Sequence, residues 1–387
     1  MAHPISGKTA ICGLGMTDMG RVYRSASDLA TEAVFRALDD AGLDKSQLDG
    51  LLINCGTTRN LNLGLHRNLG LKELNLLTFM QGFGSSAGQM VQYAAMAIEN
   101  GMADYIACVF ADDPLQEGQR TGAAYANTGQ QDALASLYPI YGFAGAIPMY
   151  AMGAQRHMDT YGTTQDQLGQ IAISQRQWAG FNEQASKRDP LDMATYHNSP
   201  WVVEPFHVLD CCLVSNGGVA VIVTSAERAR DLAQPPVYIR GFAQAHHHDV
   251  GQTDHDPLLD SPGRKAGPRA LAMAGANLTD ITQCQLYDCY TYTVLVTLED
   301  YGFCAKGEGG PFVEDGKLGP GGSLPTNTGG GELSSFYMWG MTPITEGVIQ
   351  GRGHGGKRQA PNDLILVTGN GGVLNYHATL LLSPEAA

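Results

Sequence analysis

The sequence predicts a layered α/β fold built from two similar halves, with a loop-rich insertion in the first half. Short apolar strands alternate with helices in both halves, which is the order typical of such folds. The chain has 387 residues, more than one hydrophobic core usually supports. A Gln-Pro-Pro turn at 234–236 separates the two runs of strands and helices. We therefore expect an N-terminal half over residues 1–235 and a C-terminal half over residues 236–387.

Three strands of the first half are predicted from short apolar runs that end at turn residues. They span residues 8–16, 49–55 and 105–110. Between the first two, a helix is expected to begin at Ser27 or Asp28 as a cap and to end at Gly42. A second, mostly apolar helix begins in the small residues 82–88 and runs to about residue 99. Its turn would present one residue, near Gln81, at a helix N-terminus.

Residues 114–200 interrupt this pattern. They are rich in Tyr, Met, Gln and Gly, lack strand periodicity and contain one clear helix, at 164–178. We interpret the segment as an insertion that lies over a site or makes an oligomer contact, and an ordinary cover layer without a substrate role is the alternative.

The order of strand and helix returns at residues 201–232 and repeats in the second half. The expected strands of the second half span residues 237–242, 285–287, 363–368 and 379–383, and the expected helices span residues 266–276 and 290–298.

Composition excludes several classes of protein. A formal net charge of -14 argues against a nucleic-acid or membrane-surface partner, because both require a basic surface. The sequence shows no secretory leader and no long apolar run, so we expect a cytoplasmic protein. Eight cysteines without a CxxC pair predict neither a disulfide framework nor a zinc ribbon. We expect no metal in this chain.

Several long segments, in the right order, resemble the thiolase superfamily, specifically the sterol-carrier (lipid-transfer-type) thiolases. They are ICGLGMTDMGR (11–21), DDAGLDKSQLDGLLI (39–53), QGFGSSAG (81–88), PFHVLDCCLVSNGGVAVIV (205–223), YDCYTYTVLVTLEDYGFC (287–304), NTGGGELSS (327–335) and LVTGNGGVLNYH (366–377). The resemblance covers nearly the whole chain. It implies the thiolase fold, with two α/β halves in a five-layer arrangement, and a dimer.

The sequence departs from the thiolase pattern at its reactive positions. Aligned on GS at 84–85, the nucleophilic cysteine is replaced by Gln81, which cannot form a thioester. The histidine of the GHP motif is replaced by Tyr337, and the histidine before Asp-Cys by Tyr287. The late thiolase cysteine has no thiol counterpart near Gly369. The residues that drive Claisen chemistry are therefore absent, while the segments around them remain.

This combination resembles the thiolase-like aldolases of bacterial steroid side-chain degradation, which use two tyrosines. The resemblance implies retro-aldol cleavage of a 17-hydroxy steroid side-chain acyl-CoA to a 17-ketosteroid and a short acyl-CoA such as propionyl-CoA. Such a carbon-carbon lyase needs one base, one acid and donors to the thioester oxygen, without a covalent intermediate. We assign Tyr287 as the base and Tyr337 as the acid.

The resemblance implies further site residues. Asn327 is a candidate to order a water, and backbone amides at Gly371 or near Gln81 are candidates to bind the thioester oxygen. Asp288 and Tyr290 are expected to line the pocket. A tyrosine taken alone is more often a core residue whose hydroxyl is hydrogen-bonded, and Tyr290 keeps packing as its alternative role.

The resemblance also implies a partner. We expect a small zinc-containing OB-fold protein to bind this chain, with a homodimer core inside a heterotetramer. The zinc would belong to the partner, and no cofactor is expected here beyond the coenzyme A thioester substrate.

Other signals support alternatives. The histidine-rich loop at 245–255 has enough donors for a metal, although a solvated loop is the default because adjacent histidines splay apart. Basic loops at 261–269 and 351–359 either meet coenzyme A phosphates or are solvated. For the whole chain, a catalytically silent lipid-binding or scaffold subunit and a thiolase-like acyltransferase with another nucleophile remain open.

Overall fold

The computed structural model describes residues 2–121, 124, 140, 142–143, 145–247, 256 and 258–386. Its strands are β1 (Thr9–Met16), β2 (Gly50–Cys55), β3 (Leu76–Phe79), β4 (Ile106–Asp112), β5 (Trp201–Val203), β6 (Phe206–His207), β7 (Gly217–Ser225), β8 (Val237–His246), β9 (Gln283–Gln285), β10 (Ile365–Gly371) and β11 (Tyr376–Ser383). Its α-helices are α1 (Ala26–Ala41), α2 (Leu65–Asn68), α3 (Ser86–Glu99), α4 (Ile147–Tyr161), α5 (Gln165–Gly180), α6 (Met193–His197), α7 (Ala226–Ala229), α8 (Gly263–Ala274), α9 (Thr291–Tyr301), α10 (Gly309–Val313) and α11 (Met341–Gly351).

Within the described residues, nine strands form one mixed sheet in the order β3-β2-β4-β7-β1-β8-β11-β10-β9. The order outward from the β1–β8 seam repeats. In each half the seam strand pairs antiparallel with a second strand, which pairs antiparallel with a third, and the third pairs parallel with a fourth. The seam itself is short, pairing Ala10 with Tyr238 and Ile11 with Val237. The chain therefore folds as two similar halves, and the domain boundary at 235 and 236 stays a prediction.

The helices complete five layers. The central helices α3 and α11 contact each other and strands of both halves, while α1 covers β1, β7 and β4, and α8 covers β8 and β11. The main core, on the side of α3 and α11, contains residues from both halves. A second core lies between α1 and the outer face of the first half. The five-layer expectation is confirmed.

The first helix starts earlier than predicted. Its cap is Ser25, whose backbone is extended (φ -65°, ψ 146°) and whose side chain accepts a hydrogen bond from the amide of Asp28. The prediction of Ser27 or Asp28 as the cap is therefore wrong, because both residues already lie in the first helical turn. Gly42 ends the helix in the left-handed conformation (φ 71°), as predicted.

The insertion contains more helix than predicted. The expected helix is α5, capped by Thr164, but α4 and α6 accompany it within the described part. The sequence hides α4 because its buried face consists of small residues plus Tyr150 and His157 rather than large aliphatic ones. The prediction of a single helix in this segment is therefore wrong.

Two strands near the site differ from the prediction. Strand β3 was not predicted, because it is a four-residue strand at the edge of the sheet. Strand β9 ends at Gln285, so the prediction that it reaches Tyr287 is wrong. Tyr287 lies in the connection from β9 to α9, beyond the carboxyl end of a parallel strand pair. This is the edge at which α/β sheets bind ligands.

Candidate active site

Tyr287 and Tyr337, fifty positions apart, meet at this edge of the sheet. Their hydroxyl oxygens lie 2.9 Å apart, within hydrogen-bonding distance, and either can be the donor. Tyr287 is buried, whereas Tyr337 is half-buried. The structure therefore brings the two predicted catalytic side chains into direct contact.

Hydrogen bonds from three other segments hold the backbone at Tyr287. Its amide donates to Thr368 Oγ1 on β10 at 3.0 Å, and its carbonyl accepts from Thr293 Oγ1 on α9 at 3.2 Å. The preceding amide, of Leu286, donates to Asn327 Oδ1 at 2.6 Å. Asn327 thus connects the two motif segments, and its predicted role in ordering a water stays a prediction. A cavity of about 20 Å³ beside Asn327 and Asp288 has room for one water molecule.

A glycine before α3 makes room for the Tyr287 ring. A Cβ atom built on Gly84 would lie 2.3 Å from both Cε2 and Cζ of Tyr287, and 2.1 Å from the carbonyl oxygen of Asn370. No side chain fits at this position without displacing the phenol or the backbone. The turn that opens α3 therefore packs directly against the hydroxyl end of Tyr287.

A short π-helix, Gly331–Ser335, leads into Tyr337. The carboxylate of Asp288 accepts hydrogen bonds from the backbone amides of Glu332 (2.9 Å) and Leu333 (3.2 Å) at the start of this helix. The amide of Tyr337 donates to Ser215 Oγ at 3.1 Å, in the loop before β7. The side chain of Asp288, predicted to line the pocket, thus supports the segment that carries Tyr337.

The predicted binding site for the thioester oxygen, at Gly371 and near Gln81, stays a prediction. Gly371 lies so close to the turn before α3 that a Cβ atom there would be 2.5 Å from the carbonyl oxygen of Gly82. Gln81 is exposed, and its Oε1 accepts the amide of Phe83 at 2.9 Å. The amide of Gly82 donates to Ser86 Oγ at 2.7 Å. The first two amides after Gln81 therefore already have acceptors in the turn.

The backbone is strained both in the turn before α3 and in the loop from β10 to β11, the two segments that meet where Gly371 approaches Gly82. Phe83 (φ 52°), Val373 (φ 53°) and Leu374 (φ 68°) adopt the left-handed region without being glycine. Such a conformation is costly for Val in particular, since its side chain branches at Cβ, and it concentrates at functional sites. The strain marks the turn before α3 and the loop from β10 to β11 as the surroundings of the tyrosine pair.

Burial dominates the electrostatics of the site. Burial raises the pKa of both phenols well above the ordinary value, and the nearby carboxyl of Glu332 adds to the increase at Tyr287 and Tyr337. Burial also raises the pKa of the neighbouring thiols of Cys289 and Cys212 far above their usual range. Phenols and thiols in this site are therefore protonated at neutral pH.

Helix α4 brings an additional tyrosine to the site. Tyr150 is buried, and its ring centroid lies 4.7 Å from that of Tyr290, which also stacks on Phe206 at 5.1 Å. Burial raises the pKa of the Tyr150 hydroxyl, as does its hydrogen bond with Cys289. Tyr290 packs between aromatic rings, and its role as a pocket residue stays a prediction. Helix α4 of the insertion thus packs against the segment that follows Tyr287.

Sequence reasoning missed Ser215, Thr368, Tyr150 and Glu332. Thr368 and Ser215 carry no signal of their own, since hydroxyl residues next to strands are common. Glu332 did carry one, because it is the charged residue in the otherwise small or apolar run GGGEL. A glutamate side chain is rarely fully buried.

The two segments predicted as basic loops take part in the fold itself, one as a helix and the other through ion pairs of its arginines. Residues 263–269 belong to helix α8, so the prediction of a loop there is wrong. In the other loop, Arg352 pairs with Asp40 at 2.9 Å and Arg358 with Glu346 at 3.0 Å. These pairs favour a structural role for both arginines over contact with phosphate groups.

Most of the histidine-rich loop, residues 248–255, lies outside the described residues. Within the described part of the chain, no cluster of three or more His, Cys, Asp or Glu side chains is placed to hold a metal. Nor does that part contain a helix long and apolar enough to cross a bilayer.

The repeated halves and five layers define a thiolase-type protein, and residues 243–384 match the family described as Thiolase C-terminal domain-like. The chain is 37% identical over 380 residues to a Thermomonospora curvata protein named steroid side-chain-cleaving aldolase, covering 95% of this chain and 96% of that protein. It is 36% identical over 382 residues to 17-hydroxy-3-oxo-4-pregnene-20-carboxyl-CoA lyase of Mycobacterium tuberculosis, covering 95% and 98%. The chain belongs to the thiolase superfamily, in the branch that contains these aldolases.

Solved structures agree with this placement. The Ltp2-ChsH2(DUF35) aldolase superposes with a TM-score of 0.87 at 35% identity, covering 98% of both chains. The Acat5 thiolase of Ascaris suum, solved in complex with coenzyme A, superposes with a TM-score of 0.70 at 14% identity and shares the fold.

Proposed function

We propose that this chain is a retro-aldol lyase that cleaves a 17-hydroxy steroid side-chain acyl-CoA to a 17-ketosteroid and a short acyl-CoA such as propionyl-CoA. The contact of 2.9 Å between the hydroxyls of Tyr287 and Tyr337 carries the proposal. The names of the two aldolase relatives support the same reaction class and substrate class.

The protonation state of the pair constrains the mechanism. Because burial raises both phenol pKa values, neither tyrosine is ionised at neutral pH. A neutral phenol accepts a proton readily only when it gives up its own proton in the same step. A second phenol at hydrogen-bonding distance supplies the acceptor for that proton.

The pair can therefore carry one proton through the reaction. The proton of the C17 hydroxyl passes to one phenol, whose own proton passes to the other phenol. As the carbon-carbon bond breaks, its electron pair forms the enolate of the thioester, and the oxygen on C17 becomes a ketone. The second phenol gives its own proton to the α-carbon as it receives one from the first phenol, so each phenol ends with one proton and the enzyme returns to its starting state.

The direction in which the proton moves along the tyrosine pair depends on where the substrate binds. In our assignment Tyr287 receives the hydroxyl proton and Tyr337 protonates the α-carbon. The half-buried position of Tyr337 and the deeper position of Tyr287 give the two phenols different surroundings. Backbone amides near Gly371 would bind the developing enolate oxygen.

This route requires neither a thiol nucleophile nor a cofactor of this chain. Gln81 stands at the expected nucleophile position, and the neighbouring thiols of Cys289 and Cys212 have strongly raised pKa values. A thiol that stays protonated is a poor nucleophile. These observations favour the lyase over an acyltransferase.

We further propose a heteromeric assembly. One structural neighbour is an Ltp2-ChsH2(DUF35) aldolase, whose name includes DUF35. By analogy, this chain would form a homodimer core that binds a small OB-fold partner of that type, with zinc in the partner. A cytoplasmic location remains part of the same prediction.

Conservative tyrosine variants test the function. The chain, co-expressed with a DUF35-type partner, is given the 17-hydroxy steroid acyl-CoA, and the 17-ketone and short acyl-CoA are measured by mass spectrometry. Tyr287→Phe and Tyr337→Phe each remove one hydroxyl from the proton path, so we expect kcat to fall by roughly 10²- to 10⁴-fold. Tyr105→Phe is the matched control and should leave kcat unchanged, since Tyr105 precedes β4, whereas the site side of that strand carries Phe110, which contacts Trp339.

Two results would argue against the proposal. Full activity in both variants would remove the pair from the mechanism. A well-formed complex that binds the steroid acyl-CoA without cleaving it would instead favour the scaffold alternative.

A further inference from the structure

Glu332 is a fully buried carboxyl group next to the tyrosine pair. Its exposed fraction is 0%, and neither carboxyl oxygen has a hydrogen-bond partner among the described residues. A buried carboxylate without partners is very costly, whereas the neutral acid costs much less. The position is the second residue of the π-helix that leads into Tyr337.

The neighbouring carboxyl decides which acid carries the charge. Asp288 accepts the backbone amides of Glu332 and Leu333, which stabilise its ionised form, while Glu332 has no comparable donor in the described structure. Two neighbouring carboxyl groups in a buried site do not both ionise readily, because their negative charges repel each other. Burial raises the pKa of Asp288 to about 7 and, together with the charge of Asp288, holds the pKa of Glu332 well above its ordinary value.

The groups that sense the charge of Glu332 surround it on several elements. They are Asp288, Tyr287 and Cys289 before α9, Tyr150 on α4, Cys212 in the loop before β7, and Tyr337 after the π-helix. One cation, Arg176 on α5, reaches the same π-helix by donating to Ser334 Oγ at 3.0 Å.

Resting on the proposed function, we propose that Glu332 is a positioning residue that must stay protonated for the tyrosine pair to move a proton, so that its ionisation turns the lyase off at alkaline pH. Bond cleavage places negative charge on the enolate that forms beside the tyrosine pair. A second buried anion would oppose that charge in a site with little solvent to screen it. A neutral Glu332 does not repel the negative charge that develops in the transition state.

The pH profile of kcat tests this role in the assembled complex. We expect wild-type activity to fall at alkaline pH as Glu332 ionises, and Glu332→Gln to keep activity within about threefold at pH 7 while losing that alkaline decline. The glutamine keeps the size of the side chain and is neutral at every pH. A folded Glu332→Gln protein that loses activity, or that keeps the wild-type alkaline decline, overturns the proposal.

A second measurement needs no substrate and therefore separates this inference from the proposed function. An acid whose pKa is raised by folding stabilises the fold least at high pH, since the unfolded chain gains by releasing the proton. Between the ordinary glutamate pKa and the raised one, the unfolding constant of the wild type should rise relative to Glu332→Gln by up to about tenfold per pH unit.

Glu299 provides the matched control with the opposite sign. Burial would raise its pKa, but hydrogen bonding with His157 and the charge of Lys306 outweigh burial and lower it. For Glu299→Gln, the stability advantage of the wild type should therefore be present above the ordinary pKa and disappear as the pH falls. An unfolding constant for Glu332→Gln that tracks the wild type across pH 5 to 8 would show that Glu332 is ionised in the fold, and the proposal would fail.

Discussion

Gly84→Ala displaces Tyr287 without removing any functional group. The backbone at Gly84 is not in the left-handed region, so alanine meets a problem of space alone. The new Cβ would lie 2.3 Å from two carbons of the phenol, whereas ordinary contact begins at 3.4 Å. It would also lie 2.1 Å from the carbonyl oxygen of Asn370. The backbone must therefore shift, and the phenol ring must move by about 1 Å relative to the turn.

That displacement is large on the scale of the hydrogen bond. The hydroxyls of Tyr287 and Tyr337 are 2.9 Å apart, and a separation approaching 4 Å no longer transfers a proton directly. A misplacement of about 1 Å costs roughly 100-fold in rate when geometry controls the chemistry. We also expect a stability loss of about 1 to 3 kcal/mol from overpacking.

The assay is kcat for release of the 17-ketone by the assembled complex, with the melting temperature measured in parallel. Gly180→Ala is the control, because a Cβ there meets its nearest non-neighbouring atom only at 3.8 Å. In a Tyr287→Phe background, Gly84→Ala should cause little further loss of activity if it acts through the Tyr287 hydroxyl. A folded Gly84→Ala enzyme with wild-type kcat would refute the inferred role of this contact.

Three further predictions test the supports of the site. Thr368→Val leaves the amide of Tyr287 without its acceptor and should destabilise the fold by about 1 to 3 kcal/mol in denaturant titrations, whereas Thr368→Ser should not. Ser215→Ala should lower kcat more than it raises KM, since Ser215 accepts a hydrogen bond from the backbone amide of Tyr337. If a serine variant far from the site changes kcat and KM by the same amounts, this role of Ser215 is wrong. Iodoacetamide at pH 8 should leave kcat unchanged, because burial raises the pKa values of the Cys212 and Cys289 thiols and keeps them protonated. Rapid inactivation, with either cysteine labelled, would count against a mechanism that needs no thiol.

The sequence predicts the strands and helices of the sheet layers well, because their signals are local. Apolar runs that end at turn residues locate β1, β2 and β4, and the small residues at 82–88 locate the start of α3. The pattern fails where the buried face is not aliphatic, as in α4. It also fails where local geometry selects among adjacent cap residues, as at Ser25.

The tyrosine pair could be predicted because each member occupies a recognisable motif position. Its supports could not, since Thr368 is 81 positions from Tyr287 and Ser215 is 122 positions from Tyr337. Only the folded chain brings these hydroxyls to the two backbone amides. Gly84 illustrates the same limit, because the sequence shows a glycine but not the phenol ring that excludes a side chain there.

The environment of the site itself argues for a phenol pair over a thiolate. A thiolate nucleophile needs stabilisation, typically from free amides at a helix N-terminus or from a nearby cation. Here the amides of Gly82 and Phe83 already have acceptors, and burial keeps the neighbouring thiols protonated. The same burial suits two neutral phenols, because they exchange a proton along a hydrogen bond without either one ionising. Burial would therefore disable one chemistry and favour the other within the same fold.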